Sequence, residues 1–242
     1  MVRFPRILGH EIGAVIAQAD HDVPANFAPR LRVIELPYTQ CGTFASWRKR
    51  KADACRFIRT MGVQQNGRFC ERIALSDQKS SSTNPQNPTI WPLSSLCRWA
   101  FTLSRARKFS RRKVLPGVRV VVLDCGMIGM GAIAGAATRR AEVTAADLGA
   151  KATFAKADGA CQALDAADPD LNARIDARTQ GNGDDVVIEA VGLPETFTRG
   201  NDLACFGGRM VYTDYPKAPV TYATKFFNLN ELDIFGACNA WP

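Results

Sequence analysis

No apolar run in this 242-residue chain is long enough to cross a membrane as a helix. The longest uncharged stretch, Ser80–Cys97, is polar and proline-rich, and the next, Cys125–Thr138, is rich in glycine and alanine; neither offers the ~20 apolar residues a span requires. A signal peptide is also missing, because Arg3, Arg6, His10 and Glu11 interrupt the first seventeen residues. Without a secretory signal, the eight cysteines (41, 55, 70, 97, 125, 161, 205 and 238) are expected as reduced thiols in a cytoplasmic protein. No Asp or Glu occurs between Asp77 and Asp124, an interval that holds Arg98, Arg105, Arg107, Lys108, Arg111, Arg112 and Lys113. This run supplies much of the net charge of +8. No nucleic-acid-binding motif accompanies it, so a solvated helix face is expected there and not a nucleic-acid partner. No internal repeat is present.

What is present fits an ordinary globular protein: 46% hydrophobic and 22% charged residues exclude a disordered tail, a collagen-like fibre and a coiled coil. The length allows one large domain or two smaller ones at about 100–200 residues each. Character changes near residue 90. Before it, short strand-like runs (Ile12–Ala17, Leu31–Leu36 and Phe69–Leu75) alternate with Pro24, Pro29, Pro37 and Gly42, which predicts a compact β-rich unit. The segment Lys79–Pro92 is polar and proline-rich and reads as a linker. A cationic helix is expected over Leu93–Lys113, closed by Pro116 and Gly117.

Beyond that the rhythm is βαβ. Val118–Leu123, Glu142–Ala146 and Asp185–Ala190 read as buried strands, with Arg209–Tyr212 and Leu232–Phe235 as further candidates. Met127–Arg140, Leu171–Arg178 and Glu195–Ala204 read as helices between them. Alternation of this kind predicts a doubly wound parallel sheet. The fold class is therefore α/β, with residues 1–92 as a β-rich domain and 93–242 as the doubly wound one.

The turn after the first of these strands reads Leu123-Asp124-Cys125-Gly126-Met127-Ile128-Gly129. A dinucleotide-binding turn has the form G-x-G-x-x-G, and Gly126 and Gly129 occupy its second and third positions, with Ile128 between them. Asp124 holds the first. Asp tolerates a left-handed backbone, so the turn can survive, but its carboxylate would oppose a pyrophosphate at the helix N-terminus. Asp147 ends the second strand 21 residues past Gly126, where an acid binds the adenine ribose and disfavours the 2′-phosphate of NADP. NAD is the expected cofactor, bound more weakly than by an intact turn.

With these residues in place, the chain resembles the zinc-type medium-chain alcohol dehydrogenases, in the branch of polyol, threonine and sugar-acid dehydrogenases. The resemblance is carried by Phe4–Glu11 (FPRILGHE), Gly62-Val63, Asn66–Phe69 (NGRF), Asp185–Gly192 (DVVIEAVG), Gly207-Gly208-Arg209 and Glu231–Gly236 (ELDIFG). It implies a GroES-like β-rich domain carrying zinc, a Rossmann domain carrying NAD, and hydride transfer between a secondary alcohol and the nicotinamide. It further implies His10 and Glu11 at a catalytic zinc, a small alcohol or sugar-derived substrate, and a homodimer formed through Glu231–Gly236.

Departures from the family pattern are as informative. No cysteine precedes Cys41, and of the third-ligand region near Arg98–Ala100 only Cys97 is a conceivable donor. An open catalytic zinc needs about three protein ligands. The structural-zinc pattern C-G-x-C-x-x-C reads Cys41-Gly42-Thr43-Phe44-Ala45-Ser46-Trp47 here, with Cys55 at the fourth ligand position, so two thiols remain of four. Zinc is expected to bind poorly at either place. Both ends look cut relative to the family, and no residue stands out as an acid–base or nucleophilic catalyst. Two other readings stay open: a zinc-free oxidoreductase resembling the quinone reductases, and a non-catalytic remnant that at most binds nucleotide or polyanions.

Overall fold

A computed structural model describes residues 2–49, 54–77, 80–82, 117–149 and 151–237. The chain forms two compact units, Met1–Ser95 with Asn239–Trp241, and Leu96–Cys238 with Pro242. The expected helix Leu93–Lys113, with its basic run, lies outside the described residues, as do Cys97 and Cys238.

The first unit is β-rich. Strands β1 (Gly13–Val15), β2 (Arg32–Glu35) and β5 (Ser80–Ser82) form an antiparallel sheet in the order β1-β2-β5, and β3 (Tyr38–Thr39) pairs with β4 (Arg59–Thr60) as a separate ribbon. A four-residue helix, α1 (Ala45–Arg48), lies in the loop of that ribbon. Its core is small: Val33, Ile34, Leu36, Tyr38, Cys55 and Met61 are buried. Two sequence expectations fail here. Phe69–Leu75 forms no strand, because the backbone just before and into it is already committed elsewhere: Gly67, Arg68 and Phe69 donate to the carbonyls of Ile7, Gly9 and Leu8. Within the expected linker Lys79–Pro92, the three serines 80–82 are strand β5, since they pair with Val33–Glu35 despite their polarity.

The second unit holds a six-stranded sheet, β6 (Arg119–Leu123), β7 (Glu142–Asp147), β8 (Gln162–Asp165), β9 (Asp184–Glu189), β10 (Ala204–Tyr212) and β11 (Asp233–Gly236). All neighbours are parallel, in the spatial order β11-β10-β9-β6-β7-β8. Counted from β6 this is 3-2-1-4-5-6, the doubly wound dinucleotide-binding order with all six of its strands. The connections contain α2 (Met127–Ala137), α3 (Lys151–Ala155), α4 (Leu171–Thr179), α5 (Pro194–Leu203) and α6 (Lys225–Leu229).

Alternation along the strands explains why both faces are covered. Val120, Val122, Val143, Ala145, Val186 and Ile188 point to one face and pack with Ala132 and Ile133 of α2. Val121, Leu123, Ala146, Val187 and Met210 point to the other, against Leu171 and Ile175 of α4 and Leu203 of α5. Each buried Val or Leu contributes about 1.5–3 kcal/mol relative to exposure.

Candidate dinucleotide site

Helix α2 is a poor helix by propensity, with Gly129, Gly131 and Gly135 all buried, at roughly 1 kcal/mol each against alanine. Close packing is the reason for Gly129: a Cβ there would lie 2.0 Å from the Asp124 carbonyl oxygen. The helix can therefore start directly under the end of β6 only because this position is glycine.

Asp124 leaves β6 with φ +90°, the left-handed conformation usually given to the first glycine of such a turn. Its Oδ2 then folds back and accepts a hydrogen bond from the Gly126 amide at 2.8 Å. Gly126 is the N-cap of α2, so the carboxylate sits on the positive end of the helix and supplies the negative charge that end attracts. The amide that a pyrophosphate oxygen would seek is already engaged by Asp124. Burial raises the Asp124 pKa above its ordinary 3.8, and the neighbouring Asp147 charge pushes the same way, while the Gly126 amide and Lys151 pull it down.

Asp147 is the second carboxylate of the site. Its Oδ2 accepts the Cys125 amide at 2.8 Å and its Oδ1 accepts the Leu148 amide, so it ties the end of β7 to the turn after β6. Each oxygen keeps a further lone pair for a ribose hydroxyl. Cys125 between the two acids is buried, and its thiol is pushed up to about 12, by desolvation first and then by Asp147 and Asp124. It is a packing residue and not a nucleophile. Ile128 is half-buried in the first turn of α2.

The strand order reverses between β6 and β9, and Leu123 pairs there in register with Glu189. Ligands of open parallel sheets bind outside the carboxyl ends of strands at such a reversal. Glu189 is fully buried at that end. Its Oε1 accepts from the Val191 and Gly192 amides and the Thr196 hydroxyl, at 3.0, 2.9 and 2.7 Å, while Oε2 has no partner. Desolvation raises its pKa above the ordinary 4.5. The sequence shows this segment as a buried strand but not the role of its acid; an acid followed two to seven residues later by Val-Gly and Thr is the local signal for the loop it ties down.

In the first unit, the Gly9-His10-Glu11 element is laid against Gly62 and Gly67 by backbone contacts. A Cβ at Gly67 would come within 2.3 Å of the Leu8 carbonyl oxygen, and one at Gly62 within 2.9 Å of the Gly9 nitrogen. His10 Nε2 lies 3.7 Å from Glu11 Oε1, both partly exposed. Nearby, Arg68 forks onto the buried carboxylate of Glu35 with both contacts at 3.3 Å. Cys41 and Cys55 come together with their sulfurs 3.4 Å apart. Among the described residues no three His, Cys, Asp or Glu side chains gather into a group that could hold a metal ion. Each of the two zinc positions implied by resemblance therefore offers two described donors, fewer than a catalytic or structural zinc requires, and the described residues do not fit the metal.

Comparison with known proteins agrees with the fold. Residues 128–240 match the family described as zinc-binding dehydrogenase. The chain is 27% identical over 240 residues to L-galactonate-5-dehydrogenase of Escherichia coli K12, covering 99% of this chain and 69% of that relative. Among solved structures, galactitol-1-phosphate dehydrogenase from Escherichia coli superposes with a TM-score of 0.83 at 19% identity, covering 99% of this chain and 69% of that one. An alcohol dehydrogenase of Escherichia coli CFT073, solved in complex with NADH, gives 0.84 at 20% identity over 98% and 69% of the two chains. At those identities the two structures show the fold alone. The family match over 128–240, the relative spanning nearly the whole chain and the 3-2-1-4-5-6 sheet together make this chain similar to the zinc-binding dehydrogenases over its dinucleotide-binding unit, while its dinucleotide turn and both zinc positions depart from the pattern that the resemblance implies.

Proposed function

We propose that the chain is an NAD-binding oxidoreductase of the alcohol and polyol dehydrogenase type, acting on a small secondary alcohol or sugar-derived substrate. The observation that carries this reading is the turn from β6 to α2. Gly126 caps the helix, Gly129 lets it approach the strand, and Asp147 stands at the end of β7 where a ribose would bind. Asp147 selects NAD over NADP, because a 2′-phosphate beside its carboxylate would be repelled. When bound, NAD would supply the hydride acceptor. The protein's own residues hold and orient it: Gly126 and Ile128 at the helix N-terminus, Asp147 at the ribose, and Glu189 fixing the loop at the strand reversal.

Asp124 works against this. It holds the Gly126 amide for itself and places a negative charge where the pyrophosphate must come. The site is thus a dinucleotide site with its own anion folded into it, and cofactor binding has to displace or protonate that carboxylate.

The described donors do not assemble a zinc site, and no step is assigned to the metal. Metal-independent hydride transfer is the second reading, favoured by the two-donor set at His10 and Glu11. Zinc measured at about one equivalent in purified protein would remove it. A homodimer through Glu231–Gly236 is supported by the position of β11 at the edge of the described sheet, paired there with β10. Calorimetric titration with NADH tests the main reading: saturable binding, weakened by Asp147→Asn, is expected. A folded protein that binds no NADH at millimolar concentration would refute it.

A further inference from the structure

The loop between β3 and β4 carries two thiols that face each other. Tyr38 and Thr39 pair with Thr60 and Arg59, and this ribbon brings the flanking cysteines together across the base of the loop. Cys41 Sγ and Cys55 Sγ lie 3.4 Å apart, at hydrogen-bond contact. Phe44, at one of the positions where the family pattern has a thiol, packs edge-on against Phe57 with ring centroids 5.6 Å apart. That ring pair ties together the two chain segments that carry the cysteines, three residues after Cys41 and two after Cys55.

The two thiols are not equivalent. Cys41 is exposed, whereas Cys55 is buried at 4%. Thr43 faces Cys41, its hydroxyl 3.6 Å from Sγ, so the exposed thiol is held beside Cys55 by a polar contact on its open side. Among the described residues, the other exposed cysteines, Cys70 and Cys161, are not in contact with a second thiol. The surrounding segment is strongly basic: between Cys41 and Thr60 the sequence carries Arg48, Lys49, Arg50, Lys51, Arg56 and Arg59 against a single acid, Asp53. A segment of that net charge attracts an anionic reagent.

We propose that Cys41 and Cys55 form a redox-modification site, in which an exposed attacking thiol and a buried resolving thiol close to an intramolecular disulfide by exchange with an anionic small-molecule disulfide. The Cys41 thiolate attacks one sulfur of the reagent, breaks its S–S bond and releases one thiolate, leaving a mixed disulfide on Cys41. The Cys55 thiol then gives up its proton and attacks the Cys41 sulfur. The Cys41–Cys55 bond forms and the second reagent thiolate leaves. One protein dithiol is oxidised and one reagent disulfide is reduced to two thiols. Exposure lets the reagent reach Cys41 first, and the 3.4 Å sulfur contact puts Cys55 within reach of the mixed disulfide. The disulfide would then close the loop that the family closes with a metal.

The test uses the full chain and oxidised glutathione near pH 7, followed by alkylation and peptide mapping. The expected product is a Cys41–Cys55 cross-link, lighter by two hydrogens and reversed by a thiol reductant, with Cys70 and Cys161 still alkylatable. Cys55→Ser should trap glutathione on Cys41, and Cys41→Ser should give neither adduct nor cross-link. Full alkylation of both Cys41 and Cys55 in the parent after prolonged exposure would overturn the proposal. So would cross-links that join Cys41 to Cys70 or Cys161 instead. Mapping of the parent decides the matter even if a variant fails to fold.

Discussion

Replacing Asp124 by glycine should strengthen NADH binding roughly thirty- to hundredfold. The carboxylate accepts the Gly126 amide at 2.8 Å, so it occupies the position from which that amide would meet a phosphate oxygen. Two unit charges about 4 Å apart repel by about 4 kcal/mol at an effective dielectric near 20. Asp124 is only half-buried, and solvent screening reduces this to about 2 kcal/mol. Displacing its hydrogen bond to Gly126 costs up to about 1 kcal/mol more. The total of about 2–3 kcal/mol converts to the stated range at 1.4 kcal/mol per tenfold. Stability should change little. Glycine relieves about 1 kcal/mol of strain at φ +90°, and loses a cap and some chain stiffness of similar worth.

Calorimetry with NADH at about 0.15 M salt is the assay. Asp124→Asn separates charge from shape, since Asn keeps both the left-handed backbone and an acceptor for Gly126. It should recover the electrostatic part, about 2 kcal/mol. In the parent, binding should tighten as pH falls toward the raised pKa of Asp124, because protonation removes the opposing charge. In Asp124→Asn that dependence should flatten. If both variants fold and neither binds NADH more tightly than the parent, the carboxylate does not face the pyrophosphate and the argument fails.

Three further expectations follow from the same geometry. Asp147→Asn should weaken NADH about tenfold and narrow the gap between NADH and NADPH, read by the same titration, because a charge-assisted hydroxyl contact worth about 1.5 kcal/mol is lost. Gly67→Ala drives a Cβ to 2.3 Å from the Leu8 carbonyl oxygen, so it should cost the first unit about 1–3 kcal/mol and remove amide-exchange protection at Gly67 and Phe69, leaving strands β6–β11 untouched. Burial raises the folded-state pKa of Glu189 above its ordinary 4.5, so the protonated carboxyl favours folding, a contribution present below about pH 4.5 and lost as pH rises through the raised value. Glu189→Gln removes that loss, so its melting temperature should gain on the parent's from about pH 4.5 toward 8; a constant difference would contradict a buried ionising Glu189.

The second unit was readable because its strands are buried on both faces. Val120-Val121-Val122 and Val186-Val187-Ile188 have no polar residue to confuse the pattern, and the glycine spacing after β6 placed the turn. Strand β8 was missed because Gln162–Asp165 sits at the sheet edge, paired only with β7, and just Leu164 is fully buried. The three serines of β5 gave no apolar signal at all, since their backbone pairing with Val33–Glu35 is what makes them a strand. Phe69–Leu75 erred in the opposite sense: Phe69 looked like a strand residue, yet its amide is spent on Leu8 and its ring is 77% exposed. The left-handed backbone at Asp124 was legible from residue type, because Asp tolerates positive φ. That its carboxylate would turn back onto Gly126 was not, since it depends on one side-chain rotamer.

That rotamer also explains how the fold outlasts an impaired site. An alanine at position 124 would carry the strain of positive φ with nothing to offset it, and a valine would carry more. Asp carries the same strain but returns a hydrogen bond and a charge to the N-terminus of α2, each worth about 1 kcal/mol or less. The substitution is close to neutral for the β6–α2 unit while it opposes the cofactor's pyrophosphate. At the Cys41–Cys55 loop the Phe44–Phe57 ring pair is worth only about 0.5–1.5 kcal/mol beyond its burial, far less than a bound structural zinc would contribute. Stability measurements alone would therefore not reveal the Asp124 substitution, whereas ligand titrations would.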